Sequence, residues 1–551
     1  MKRIGSFGPP TVAETIGGVC VPYLRSALAL ISLTTFSVLL SQTEHLQFFH
    51  DDWYFVTVSP QDLSAYFAPS NGHWSTVPII VYRLLLGVFG LATHVPEQVL
   101  MLVEHLAVVA LVFRIARRRS GDLLAAAAAL LVLVMGFGSD DFVYCCSGQF
   151  AASVMFGLLA LDLLDQSPVA WRTLLTSGAL VLSLAASGMG VAFVVAALVQ
   201  AGLRRDPLGI AAASLPLLIF VAWFRLLDQS GADTAVPLTP GGIWAVVQFI
   251  GYGIAATGAS AAGAGTRFGA LPLVVSVLGL AAITGVGVTR SPIAWVLSPL
   301  AGIVAEFGSI GLVRVQGFGV AEAGTNRYMY VSVVLLTLLV SASVSSLRCR
   351  LPWRIVLSGA LAVALIGNMA SLAGAVAYWR DKSATEDIVL ATLNAIQNSP
   401  TPDQTVLADA NDAPSVQVAA FYAAERRFGS IGDLPPFGVA AAQQPEVVDT
   451  VLRTVFASSV VLSKATVISN CVDREPLPSE LLLPPGARLE LQVEGSGLLG
   501  VALGWLRSPQ PARSFSVSTG IWVLKAPTVR LPSFIWNVTI SAGYDASVFA
   551  C

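Results

Sequence analysis

Residues 98–116 read QVLMLVEHLAVVALVFRIA and run straight into Arg117-Arg118-Arg119. A helix needs about 20 mostly apolar residues to cross the hydrocarbon core of a bilayer, and this run supplies them with only Glu104, His105 and Arg114 interrupting. The arginines that follow mark the side on which the helix ends, because cytoplasmic loops collect Lys and Arg. Comparable runs recur along the chain at roughly 24–42, 122–138, 147–164, 172–187, 189–203, 207–225, 269–288, 292–312, 329–346 and 355–377. The composition agrees: 55% of the 551 residues are hydrophobic and 12% charged, with a mean hydropathy of +0.74. A soluble domain carries about 25% charged residues, so this chain lacks the polar surface that water requires. Its net charge of −2 also excludes a nucleic-acid partner, which would call for a basic stripe.

Two further apolar stretches, 77–91 and 242–262, are ambiguous; the first carries Arg83 and the second opens on Pro240-Gly241-Gly242. If both lie along the outer surface, then Lys2, Arg3, Arg25, Arg114, Arg117–Arg119, Arg172, Arg204, Arg205, Arg290, Arg348, Arg350 and Arg354 all face the cytoplasm. Counting either one alone as a span puts a basic cluster on the wrong face. The expected fold class is therefore mainly α, a polytopic transmembrane helix bundle of about 11 spans. The N-terminus would lie in the cytoplasm and the C-terminal domain outside, in a cell inner or plasma membrane. Met1–Gly18 is polar, and the first apolar run reads as a retained helix.

This topology divides the chain into a membrane domain, 1–378, with a long outer loop at 43–96, and an extracytoplasmic domain, 379–551. Asp381–Gln397 reads as an amphipathic helix. From about residue 450 short apolar runs alternate with Pro and Gly, at Ser459–Leu462, Arg488–Val493, Gly500–Leu506, Ser514–Val517, Ile521–Leu524 and Ile535–Ile540. That spacing suits a β-sandwich-like region, making the domain mixed α/β. In an oxidising compartment Cys471 and Cys551 would pair as a disulfide.

The first outer loop holds the chemistry. It contains Phe48-Phe49-His50-Asp51-Asp52-Trp53-Tyr54-Phe55 and, later, Asn71-Gly72-His73-Trp74. All five histidines of the chain fall between residues 45 and 105. A carboxylate among aromatics can act as a general base, as a sugar hydroxyl attacking an anomeric carbon requires. A lipid-phosphate leaving group departs without an acid, so one base and a cationic phosphate site are enough, unlike the two carboxylates of a hydrolase. Asn326-Arg327-Tyr328 stands at a loop–helix junction, where a guanidinium and a phenol could hold a phosphate. Arg267 is a second phosphate candidate. Asp140, Asp141 and Glu322 add outer-face carboxylates; hard divalent metal ions take oxygen ligands, but the spacing carries no metal signature and no cofactor is expected with confidence.

The acidic pair after helix 1, His73 with Pro78, the interfacial Ile79–Leu91 and the basic Arg114–Arg119 together resemble the GT-C superfamily of polyprenyl-phosphate-sugar-dependent membrane glycosyltransferases, of the actinobacterial cell-envelope type. The resemblance implies that Asp51 is the catalytic base, with Asp52 supporting it. His50, Trp53, His73 and Trp74 would then shape the acceptor side, and Arg267, Arg327 and Tyr328 the phosphate side. The partners implied are a polyprenyl-phosphate-sugar donor, the lipid bilayer, and a glycan, lipid or protein acceptor. The end of the tail resembles the carbohydrate-binding-like β domains of cell-wall transferases, which implies that it holds a glycan. Two other readings remain open at this stage, a transporter or flippase of a lipid-linked glycan and a non-catalytic scaffold. No inverted repeat of the kind common in transporters is visible.

Overall fold

The structure is a computed structural model. It describes residues 12–551 except 49, 58–62, 71, 145–147, 167–168, 228–235, 238, 267–268, 345–350, 401, 466–474, 479, 508, 544–545 and 551. The side chains of 12–22, 70, 290, 351–354 and 475–476 are likewise outside the description. Contacts divide the chain into two compact units. One is built from 1–44, 59–82 and 95–379, the other from 45–58, 83–94 and 380–551. The first loop thus contributes to both.

The first unit is helical. Its long helices are α1 (Val12–Thr43), α4 (Val95–Ser120), α10 (Pro207–Leu227), α11 (Pro240–Ala261), α12 (Ala270–Arg290), α13 (Ile293–Phe318), α14 (Asn326–Val344) and the membrane part of α15 (Leu351–Ile396). Among the described residues these are the eight helices long and apolar enough to cross a membrane. Shorter apolar helices are α3 (Thr76–Phe89), whose residues from Arg83 onward belong to the second unit, α5 (Asp122–Leu133), α7 (Gly148–Leu164), α8 (Ala170–Ala186) and α9 (Gly190–Arg204). The expected runs at 122–138, 147–164, 172–187 and 189–203 therefore all form helices, but shorter than the eight. Two very short helices, α2 (Asp52–Thr57) and α6 (Asp140–Val143), lie in connections.

The ends of several helices are tied together by charges. Asp162, near the end of α7, is 3.1 Å from Arg114 and 2.8 Å from Arg118 of α4. Asp165, just beyond α7, is 2.9 Å from Arg119 and 2.6 Å from Arg204 at the end of α9. It also accepts hydrogen bonds from Gln200 at 3.0 Å and from the indole of Trp295, at the start of α13, at 3.2 Å. Arg25 and Arg117 both pair with Asp122 at the start of α5. The ends of α4, α7 and α9 and the starts of α5 and α13 thus meet at one end of the bundle, as successive crossings require. Read in sequence, Asp162 and Asp165 are merely the boundary of a span; in the structure they join four helices.

Helix α11 covers the stretch 242–262 that the charge pattern laid along the surface, and it is a regular helix with the length and apolarity to cross. Pro240 at its first turn and the Thr239 hydroxyl, which accepts from Gly242 N at 3.2 Å, fix its start. Its described partners nevertheless cluster away from the Asp162–Asp165 end. Val236, just before it, donates to Leu312 O late in α13, and Phe249 packs on Phe307 and Gly311 of the same helix. Ser260 O and Ala261 O, at its other end, accept from Asn368 of α15, whose carbonyl accepts from Gly136 N beyond α5. Close approach depends on small residues, as is usual between helices in a membrane: a Cβ on Gly253 would run into the Phe307 ring.

The second unit combines the end of α15 with α16 (Val418–Phe428), α17 (Phe437–Gln443), α18 (Pro445–Phe456), a hairpin and two antiparallel sheets. Strands in chain order are β1 (Pro69–Ser70) and β2 (His73–Trp74), which belong to the first unit, then β3 (Leu407–Asp409), β4 (Ala413–Gln417), β5 (Val461–Lys464), β6 (Glu475–Pro476), β7 (Leu481–Leu483), β8 (Arg488–Gly495), β9 (Gly497–Gly504), β10 (Gln510–Val517), β11 (Gly520–Lys525), β12 (Trp536–Ala542) and β13 (Ala546–Ala550). The sheet orders are β10-β9-β12-β7 and β5-β11-β8-β13-β6. Alternate residues turn inward, Leu491 and Val493 on β8 and Leu499, Val501 and Leu503 on β9, the pattern of sheets with one buried face. Cys471 and Cys551, the expected disulfide, lie outside the described residues.

Candidate functional site

The predicted site residues divide between the two units. In the second, the chain after α1 turns sharply at His50, which adopts a left-handed backbone (φ 50°). Non-glycine residues seldom take this conformation, although His does so more readily than most. One side chain holds the turn. Glu386, fully buried on the last part of α15, accepts from His50 N at 3.0 Å, from His50 Nδ1 at 2.9 Å and from Trp53 Nε1 at 3.0 Å. Ser383, one helical turn earlier, accepts from Gln47 N at 3.3 Å. Trp53, expected at the acceptor, is a core residue instead: it is 1% exposed, its indole N–H goes to Glu386, and its ring packs on Phe421 of α16.

The two aspartates separate because they stand at the start of α2, where neighbouring side chains diverge. Asp52 is the buried first-turn acid of α2, with its carboxylate 3.8 Å from His94 Nε2. A helix N-terminus favours a negative charge in that position. His94 is itself enclosed, with Phe48 against its ring at 4.5 Å. Asp51 remains half-buried and accepts from the Ser415 hydroxyl of β4 at 3.4 Å. Of the acidic pair, then, Asp51 is half-buried and Asp52 fully buried.

Burial lowers the His94 imidazole from its ordinary 6.5 to about 4, against a smaller opposing contribution from the Leu46 backbone. The folded value lies below the unfolded one, so the unfolded chain binds more protons between them. Stability owed to a neutral His94 is complete above pH 6.5 and is lost as the pH falls toward 4, by about 3 kcal/mol in all. Thermal unfolding of the purified protein between pH 7 and 4 should show this acid loss, and His94→Gln should flatten it.

In the first unit, His73 and Trp74 form β2, paired with β1. His73 Nδ1 is 3.3 Å from the Ser187 hydroxyl, and its ring meets Phe150 edge-on. Trp74 is buried, stacks on Trp223 and donates to the Thr76 hydroxyl at 2.7 Å. Arg327, at the start of α14, keeps a half-exposed guanidinium 3.8 Å from Glu322. The Tyr328 hydroxyl, expected to face a phosphate, instead donates to Glu322 at 3.5 Å from a buried ring. Arg267 lies outside the described residues.

Asp140 accepts from Trp379 Nε1 at 3.0 Å. Burial pushes the Asp141 carboxyl well above its usual range, with Asp140 and Glu306 adding to this and Arg327 opposing it. Neither carboxyl oxygen of Asp141 or of Glu306 has a hydrogen-bond partner among the described residues. His105 joins the Tyr330 hydroxyl at 2.8 Å and stacks on Phe142, a packing contact within the bundle. Among the described residues no group of three His, Cys, Asp or Glu side chains is disposed to hold a metal ion. The conditional set Asp140, Asp141 and Glu322 is therefore not assembled, since Glu322 turns to Arg327 and Tyr328.

Glu386, Ser415, His94 and Trp379 escaped sequence reading. Only His94 carried a signal, as one of five histidines in a short stretch.

No family model and no curated protein matches the chain. Among solved structures it is similar to ArnT from Cupriavidus metallidurans. With the form bound to undecaprenyl phosphate the identity is 16% and the TM-score 0.41; with the apo form they are 14% and 0.40. Each alignment covers 77% of this chain and 88% of that one.

Proposed function

We propose that this membrane protein transfers a sugar from a polyprenyl-phosphate donor to an acceptor on the outer face of the membrane, with Asp51 as general base. The observation that carries the reading is the division of labour within the acidic pair. Asp51 is reachable and backed by Ser415, in a turn held by Glu386, while Asp52 is locked under Phe48 and His94. In the proposed step the acceptor hydroxyl gives its proton to the Asp51 carboxylate as its oxygen bonds to the anomeric carbon. The bond from that carbon to the phosphate oxygen breaks, and polyprenyl phosphate leaves with the electron pair. Attack opposite the leaving group inverts the configuration. General-base assistance of this kind contributes about 10²–10⁴-fold.

The half-exposed guanidinium of Arg327 is the group we assign to the donor phosphate, with Arg267 as its second cation; Tyr328 supports it by holding Glu322. His50, His73 and Trp74 are assigned to the acceptor side. The β-rich region is assigned to glycan binding.

Envelope-glycan linkage analysis, with quantification of lipid-linked sugars, in cells lacking the protein tests this reading. The expected result is loss of one linkage together with accumulation of one polyprenyl-phosphate sugar. An unchanged linkage profile would remove the transferase reading.

A further inference from the structure

One residue of the site answers to no expectation from sequence. Glu386 lies far from the acidic pair in the chain, in a segment that reads only as an amphipathic helix, yet it accepts from two residues of the 45–58 segment. It binds both the backbone and the ring of His50 and, two positions beyond Asp51, the indole of Trp53. Asp51 therefore sits between two residues fixed to the same carboxylate. His50 is also the position where the backbone is left-handed. Such conformations persist only where the surroundings impose them, and a charge-assisted bond from His50 N to a buried carboxylate is a strong constraint.

We infer that Glu386 is a positioning residue of the Asp51 site: it fixes the His50–Trp53 turn so that the Asp51 carboxylate projects outward while Asp52 turns inward. This inference rests on the transferase reading given above. Glu386 is fully buried, so it touches no substrate and acts through His50 and Trp53. Releasing the turn alters the setting of the base and removes no residue assigned to the donor. Displacing a reacting group by about 1 Å costs on the order of 10²-fold in rate.

The test uses membranes carrying the full-length protein, with the total lipid extract of cells lacking it as donor and wall material from the same cells as acceptor. Glu386→Ala should lower the maximal transfer rate by about 10²-fold, and Trp53→Phe, which removes one of the donors to Glu386, should lower it by less, with the half-saturating extract concentration unchanged in both. Because Trp53→Phe removes only a contact that Glu386→Ala also removes, the double variant should be no slower than Glu386→Ala. A merely structural contribution would instead lower the amount of folded protein, so rates are expressed per folded molecule, scored by protease resistance. Where Glu386→Ala does not fold, Glu386→Gln, which keeps the volume and one carbonyl acceptor, takes its place. A raised half-saturation at full rate, or losses that multiply in the double variant, would overturn the inference. Asp51→Asn in the same membranes separates the two levels. If Asp51→Asn is inactive and the Glu386 variants run at wild-type rate, only the positioning role fails; if Asp51→Asn is fully active, the transferase reading fails.

Discussion

Asp51→Asn should leave the protein folded and lower sugar transfer by about 10²–10⁴-fold, the range for loss of a general base. Asn has nearly the same shape and can still accept from Ser415 through its amide oxygen, so the contact recorded at 3.4 Å survives. What it lacks is basicity: an amide does not take a proton from an attacking hydroxyl near neutral pH. Complementing cells that lack the protein with this variant should leave the missing glycan linkage unrestored and the lipid-linked sugar high, although the variant protein is present in the membrane. Asp52→Asn should behave differently. Its carboxylate is sealed against His94, so the change should appear first as lower thermal stability and only secondarily in transfer. Full transfer with Asp51→Asn beside none with a well-folded Asp52→Asn would reverse the assignment.

Asp165→Ala should cost about 3–5 kcal/mol of stability, the usual range when one partner of a buried ion pair is removed. The side chains of Arg119 and Asp165 are 1% and 3% exposed, so without Asp165 the Arg119 guanidinium is left as a buried charge. The Trp295 ring, 5.4 Å from that guanidinium, compensates only in part, at about 0.5–2 kcal/mol. The same substitution also strands the indole of Trp295 and the amide of Gln200. Asp162→Ala offers the contrast. Its partners Arg114 and Arg118 are 56% and 36% exposed and can turn to water, so the loss should be clearly smaller. Thermal unfolding of the two variants in detergent, side by side, measures the difference; equal losses would mean that burial of the pair does not set its contribution.

Much of the architecture was legible because a bilayer imposes its requirement residue by residue. The eleven apolar runs each became a helix, and the strands expected at 488–493, 500–506, 514–517, 521–524 and 535–540 coincide with β8 to β12. What was missed in the second unit lacks that kind of periodicity: β6, β7 and β13 are short, and α16 to α18 lie in a stretch to which the sequence reading assigned no element. Helix α11 shows the limit of reading by composition. Its length and apolarity describe a span, while its described neighbours gather away from the Asp162–Asp165 end, which no property of residues 240–261 alone encodes.

The site follows the same division. Sequence singled out 48–55 because polar, titratable groups are costly in a chain this apolar and were concentrated there. It could not distinguish Asp51 from Asp52, since adjacent residues share every local property. That difference arises from the start of α2, which turns one carboxylate toward His94 and leaves the other beside Ser415. It could not find Glu386 either, because a carboxylate on an amphipathic helix has the same local appearance whether it faces water or three donors from a distant turn. The sequence by itself determined that the chain lives in a membrane, where its helices run and which loop concentrates its titratable groups, all consequences of transfer free energies summed over neighbouring residues. Which carboxylate is open, what holds it in place and which charges join the helices were decided by the tertiary structure alone, because burial and pairing depend on residues distant in the chain.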